Sequence, residues 1–172
     1  MVPTREQCIQ MLNDYSTPPR VIRHCILVAD ISVKMAELLK NRGFCIDVRA
    51  VEAAALLHDI ARTKKNHATA GAEILNSKGY YEIAEIVRQH MKLDVDQKDR
   101  ISEITIVYLA DKFADGEKIV TLGQRFSKKE ELFNNDSEAL NSLRENFETA
   151  HKLQESVAEA IGWRGELTEL LR

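Results

Sequence analysis

Apolar residues recur along most of this chain at intervals of three and four, which is the spacing of one face of an α-helix. The segment that carries Val21, Ile22, Cys25, Val28 and Ala29 is typical. No segment alternates apolar and polar residues long enough to predict a strand. The pattern therefore predicts an all-α fold, a single-domain helical bundle of about six to eight helices.

Capping residues predict where several of these helices begin. Thr4 and Gln7 have the spacing of a capping box, Thr17 followed by Pro18 predicts a second helix start, and Asp47 predicts a third. The later helices are predicted over residues 66–76, 81–91, 102–114 and 137–161. A polar loop is predicted over residues 92–99, and no element is predicted in the charged stretch before residue 137.

The long final helix suggests how the chain is organised. We predict a core over residues 1–125 and a helical extension over residues 126–172 that packs on the same domain. Leu143, Ala150 and Leu153 give this helix an apolar face. The sequence leaves open whether that face packs on the bundle or on a second copy of the chain, as in a homodimer.

Composition narrows the class of protein. The chain has 172 residues, 44% of them hydrophobic and 30% charged, with a net charge of −3, so no basic surface for nucleic acid is expected. It begins without the apolar stretch of a signal peptide, and no run approaches the roughly 20 apolar residues of a membrane helix. Cys8, Cys25 and Cys45 form no metal-binding spacing. We predict a cytoplasmic protein with reduced thiols and neither a membrane nor a nucleic-acid partner.

Four polar residues are unexpected in apolar helical segments: His24, His58, Asp59 and Asp111. A single histidine on an apolar face is usually a hydrogen-bonded core residue. A buried ionised carboxylate, however, is costly unless it is paired or bound to a metal. One shared cation would account for all four side chains. Imidazole and carboxylate ligands together suit a divalent transition metal: Fe, Mn, Ni, Co or Zn.

The order of the histidines and aspartates carries a family resemblance. The pair His58-Asp59 ends the apolar run that starts at Val51, and the candidate ligands follow the order His24, His58, Asp59, His67, His90 and Asp111. This H…HD…H…H…D pattern resembles the HD superfamily of metal-dependent phosphohydrolases, in its HDIG-like branch. The resemblance covers about Arg20 to Arg125. Ala61 stands where that motif has glycine, a position that varies among members.

The resemblance implies a metal site for one or two ions. One ion would be held by four side chains: His24, His58, Asp59 and Asp111. A second would be held by His67 and His90, with Asp59 as the bridge. His67 sits in a polar stretch and also suits a solvated histidine, so a one-metal site stays open. Two metals would lower the pKa of a water between them from about 15.7 toward 7, and the resulting bridging hydroxide would attack phosphorus.

The resemblance also implies the roles of basic residues and the substrate class. Arg62 and Lys112 stand where the family often has a basic residue, so we expect them to act with Asp59 in catalysis by binding the substrate phosphate. Arg23 and Lys65 are further candidates. The expected substrate is a small molecule with a phosphate ester or anhydride, such as a nucleotide.

Other activities of the family are less well matched. The sequence lacks the paired histidines and the Gly-Tyr-Pro turn of the branch that degrades cyclic di-GMP, and alarmone hydrolases are much larger. Two alternatives stay open: a di-iron oxygenase, and a non-catalytic signalling or scaffold module that keeps its metal for folding alone.

Overall fold

Nine α-helices account for most of the described chain in the computed structural model, which covers residues 1–133 and 136–171. They are α1 (Arg5–Asp14), α2 (Pro19–Lys40), α3 (Val48–Leu57), α4 (His67–Ser77), α5 (Tyr81–Gln89), α6 (Glu103–Lys112), α7 (Leu122–Phe133), α8 (Ser137–Ile161) and α9 (Leu167–Leu171). A single 3₁₀ turn, Val95–Gln97, lies in the loop predicted before α6. The all-α fold class is confirmed.

A small hairpin that the sequence did not predict separates α6 from α7. Its strands, β1 (Ala114–Asp115) and β2 (Lys118–Ile119), are antiparallel, with Ala114 opposite Ile119. Gly116 makes the turn at a φ of 61°, a left-handed conformation that glycine adopts without a steric penalty. Strands of two residues are too short to produce a period-two pattern, so the sequence did not indicate them. Because Ala114 pairs with Ile119 in this hairpin, α6 ends at Lys112 rather than at Ala114.

The predicted helix starts are correct at two of three positions. Thr4 and Gln7 form a reciprocal capping box at α1, and the Asp47 carboxylate accepts from the backbone of Arg49 and Ala50 at α3. The prediction that Thr17 caps α2 is wrong. The Thr17 hydroxyl instead donates to the carbonyl of Ile60 at 3.3 Å, a buried bond that ties the start of α2 to the turn after α3.

Helix α3 is the centre of the bundle. Seven of its ten residues are buried, and three consecutive alanines, residues 53–55, let its neighbours approach closely. It packs on α1, α2, α5 and α6, while α4 packs on α5. Because α3 is buried on nearly every side, the residues directly after Leu57 emerge inside the protein rather than at its surface.

The long C-terminal helix α8 packs on the bundle of the same chain. Helix α8 has the predicted bounds and buries Leu143, Ala150 and Leu153. It packs on α2, α6 and α7 of the same chain. Helices α7 and α9 were not predicted. The division of the chain at residue 125 falls inside α7 and stays a prediction.

None of the helices in the described parts of the chain is both long enough and apolar enough to cross a membrane. The three cysteines are free thiols, with Cys8 and Cys25 buried and Cys45 exposed.

Gly71 lies where α4 packs tightly against its neighbours. A Cβ built there would lie 3.3 Å from the side chains of both Ile60 and Val87. We predict that Gly71→Val lowers the free energy of unfolding by about 1–3 kcal/mol, because the added methyl groups overpack this contact. Urea denaturation measures the change.

Gly123 of α7 provides the matched control. Its nearest neighbour to an added Cβ is the Thr121 hydroxyl at 3.9 Å, so Gly123→Ala should be neutral or stabilise by up to about 1 kcal/mol. If Gly71→Val were as stable as the wild type, the close packing of α4 on Ile60 and Val87 would be contradicted.

Candidate metal centre

The candidate ligands come together because most of them lie at helix ends. His58 and His90 are the residues that end α3 and α5, His67 begins α4, and Asp111 is in the last turn of α6. His24 lies within α2. Asp59 follows His58 in the turn after α3, and all of these residues except His24 are buried.

Backbone carbonyls fix the orientation of three imidazole rings. The Nδ1 atoms of His58 and His90 lie 2.7 Å from the carbonyls of Ala55 and Val87, each three residues earlier. The Nδ1 of His24 lies 3.0 Å from the carbonyl of Gly116. A carbonyl only accepts, so each Nδ1 carries a proton. In the neutral form of each ring, Nε2 therefore keeps the lone pair. Metal-binding histidines commonly donate their second nitrogen in this way.

The first cluster joins α2, α3 and α6. His24 Nε2 lies 3.2 Å from Asp111 Oδ1, and His58 Nε2 lies 3.7 Å from the same oxygen. His58 Nε2 is also 3.8 Å from Asp59 Oδ2. One ligand atom each from His24, His58 and Asp59 fall within 4.8 Å of one another, close enough for one ion to contact all three.

The second cluster uses the other oxygen of Asp59. Asp59 Oδ1 lies 3.2 Å from His67 Nε2 and 3.7 Å from His90 Nε2. The two imidazole nitrogens are 3.2 Å apart. One ligand atom each from Asp59, His67 and His90 also lies within 4.8 Å of the other two. Asp59 is therefore common to both clusters, with a different oxygen facing each.

The donor atoms fit a divalent metal. His58 Nε2 is fully buried, with no hydrogen-bond partner among the residues described. Its lone pair faces carboxylate oxygens, and the lone pair of His90 faces Asp59, which the Nε2 of His67 also approaches. Such an arrangement is repulsive without a proton or a cation between the atoms. Nitrogen and oxygen donors of this kind suit a divalent transition metal, which satisfies them together.

Burial keeps the second-cluster histidines neutral, the form that binds metals. Burial, followed by the nearby His58, lowers the pKa of His90 to about 3. Burial also lowers the pKa of His67. At His24, burial opposes the charged form, but the hydrogen bond and charge of Asp111 outweigh it and raise the pKa.

Asp111 stays ionised despite its burial. Burial alone would raise its pKa, but the charge of Lys112, together with His24 and His58, holds that pKa well below the usual value. The Lys112 amine donates to Asp111 Oδ2 and to the carbonyl of His90, both at 2.9 Å. It also lies 4.4 Å from the centre of the Tyr108 ring. Lys112, which the resemblance placed on the substrate phosphate, is thus buried and engaged with the ligands themselves.

Arg62 stays accessible. Its Nε donates to Asp59 Oδ2 at 3.3 Å, Nη1 lies 3.5 Å from the His67 ring nitrogens, and half of the side chain is exposed. Of the weaker candidates, Arg23 pairs with Glu117 at 2.6 Å, and Lys65 is exposed in the turn before α4.

A cavity of about 460 Å³ opens over both clusters. Its lining includes basic residues that the sequence analysis did not identify as site residues: Arg20, Arg125 and Lys129. Arg20 could have been found, because it lies four residues before His24 and so shares its helix face. Arg125 and Lys129 are on α7, and only the packing of the bundle brings that helix to the cavity.

Comparison with known proteins identifies the family. The HD domain family matches residues 21–116. A tRNA (cytidine(56)-2'-O)-methyltransferase of Picrophilus torridus is 35% identical over 146 residues, covering 75% of this chain and 41% of that protein. An uncharacterized protein of Methanocaldococcus jannaschii is 34% identical over 85 residues, covering 47% of this chain and 50% of that protein.

A second tRNA (cytidine(56)-2'-O)-methyltransferase, from Thermoplasma volcanium, is 30% identical over 105 residues, covering 59% of this chain and 30% of that protein. The chain thus spans half or less of the length of these relatives. No solved structure matches it. The family match takes in more than half of the chain and contains the paired His58-Asp59 between the two clusters, so this chain belongs to the HD domain family.

Proposed function

We propose that this protein is a metal-dependent phosphohydrolase that acts on a nucleotide or a related phosphate ester or anhydride. The observation that carries the proposal is the position of Asp59. One of its oxygens faces His58, and the other faces His67 and His90. A carboxylate shared in this way suits two neighbouring cations, whereas a site that serves folding alone is typically closed around a single ion.

The proposed ligand sets follow the two clusters. His24, His58, Asp59 and Asp111 would hold one ion, and Asp59, His67 and His90 would hold the other. When bound, such cations lower the pKa of coordinated water and accept phosphate oxygens, which is the chemistry of phosphate hydrolysis.

Groups of the protein itself would orient the metal ligands and keep Asp111 ionised. The carbonyls of Ala55 and Val87 fix the His58 and His90 rings, and Lys112 keeps Asp111 ionised and oriented. Arg62 is half exposed beside Asp59 and lines the cavity, so it can donate two hydrogen bonds to a phosphate. We therefore assign phosphate binding to Arg62 and ligand positioning to Lys112.

The cavity supports a nucleotide-sized substrate. Its volume of about 460 Å³ lies in the usual range for small-molecule sites. The names of the two methyltransferase relatives, which refer to tRNA, favour a second candidate, in which the phosphate belongs to an RNA rather than to a free nucleotide. Short RNAs with terminal phosphates therefore belong in the same substrate screen.

A screen of nucleotides, dinucleoside polyphosphates and such RNAs with Mn²⁺, Fe²⁺, Co²⁺ or Ni²⁺ tests the proposed function. We expect phosphate release or nucleotide cleavage, and hydrolysis in ¹⁸O-water should place the label in the phosphate product. Oxygen consumption with a diol substrate would favour an oxygenase instead. No turnover with any combination of metal and substrate would favour a non-catalytic scaffold.

Asp59→Asn should abolish turnover. The amide is a poor bridging ligand and leaves the site one charge more positive. Turnover is measured on the best substrate of the screen, with circular dichroism to confirm that the helices persist. Wild-type activity in this variant would rule out the bridging role.

Metal removal should destabilise the protein, because Asp59 and Asp111 would keep buried charges without a cation. An ion present at 100 times its dissociation constant contributes about 2.7 kcal/mol, which corresponds to a Tm shift of about 5–10 °C in a chain of this size. Differential scanning calorimetry before and after chelation measures it. The metal assignment fails if the purified protein holds no transition metal and melts unchanged after chelation.

His67→Ala and His90→Ala should each reduce the bound metal from about two ions to one and lower turnover by orders of magnitude. His151→Ala is the matched control, because His151 is exposed on α8 and its nearest charged partner is Glu155 at 3.6 Å. Elemental analysis by mass spectrometry counts the ions. Two ions in both cavity variants would exclude these histidines as ligands.

A further inference from the structure

Three basic residues of the cavity remain without a role in the proposed hydrolysis. Arg20, Arg125 and Lys129 line the cavity together with His24, Asp59, His67, His90 and Asp111. Arg20 precedes the segment that matches the HD domain family, and Arg125 and Lys129 follow it on α7. They share the cavity with the metal ligands but lie outside residues 21–116.

Ion pairs within the protein already satisfy the acidic residues at the cavity rim. Asp115 accepts from Arg125 at 2.9 Å and from Lys128 at 2.6 Å. Glu117 accepts from Arg23 at 2.6 Å. Both of these carboxylates at the cavity rim therefore already have a basic partner other than Lys129.

Lys129 is a half-buried cation without a partner. Within residues 1–133 and 136–171, no acceptor forms a hydrogen bond or ion pair with its amine. Burial, then the charges of Lys112 and Arg125, lowers its pKa to about 8. The Nε of Arg125 is also buried without a hydrogen-bond partner among these residues. Unpaired donors and positive charge of this kind are costly in a cavity unless an anion binds there.

We propose that Lys129 and Arg125, with Arg20, bind a second anionic group of the substrate. The inference rests on the proposed function, in which a first phosphate lies over the metal ligands beside Arg62. The ligand of this cavity would then carry at least two phosphate groups, as a nucleoside diphosphate or triphosphate does. Asp115 fixes the Arg125 guanidinium, so this donor is oriented before the ligand arrives.

Isothermal titration of the metal-loaded protein with inorganic phosphate, pyrophosphate and tripolyphosphate tests the inference without requiring turnover. The wild type should bind at least one of the two longer anions more tightly than phosphate. Lys129→Met should weaken that binding by about tenfold or more and change phosphate binding little, because a hydrogen bond to a charged group is lost. Lys129→Arg should retain the preference.

Lys152→Met removes the same charge from an exposed position on α8, beside a separate surface cavity, and should match the wild type. The inference is overturned if the wild type does not bind a longer anion more tightly than phosphate. It is also overturned if Lys129→Met weakens the binding of all three anions equally, or of none of them.

The two proposals fail in different ways. Anion binding that depends on Lys129, in a protein that hydrolyses no substrate, would contradict the hydrolase and leave the anion site standing. Hydrolysis with unchanged anion binding in Lys129→Met would contradict the anion site alone.

Discussion

The burial of two carboxyl side chains, Asp59 and Asp111, is the constraint on which this structure depends. Both lie among apolar helices, where an unpaired charge would cost several kcal/mol. Lys112 offsets the charge of Asp111 from one side. On the cavity side, both carboxylates face imidazole nitrogens. Neutral imidazoles with Nε2 unprotonated would turn lone pairs toward the carboxylate oxygens, and a bound cation resolves that repulsion.

Helix ends make this arrangement compatible with a stable bundle. The last carbonyls of a helix lack partners within it. At the ends of α3 and α5, the imidazole of the next residue fills this need and, by the same hydrogen bond, turns its Nε2 inward. One interaction therefore both satisfies the backbone and orients the ligand. Since α3 is buried on nearly every side, its end delivers His58 and Asp59 to the protein interior.

Local features of the chain explain how much could be predicted. The spacing of apolar residues in α3 predicted a helix, because that spacing depends on neighbours in sequence. The order of the histidines and aspartates carried the family resemblance that implied the candidate ligands. Helix α7 was missed because it buries only Leu122 and Phe126 within a charged stretch. The contact of Lys112 with His90, and the approach of Lys129 to the cavity, depend on how distant helices pack. No spacing along the chain encodes that packing.

We propose that the two oxygens of Asp59 serve two different metal ions. Anomalous diffraction from crystals of the Mn²⁺-saturated protein, recorded at the manganese absorption edge, tests it most directly. We expect two peaks, one beside Oδ2 with His24 and His58, and one beside Oδ1 with His67 and His90. A single peak, or none in contact with Asp59, would contradict it.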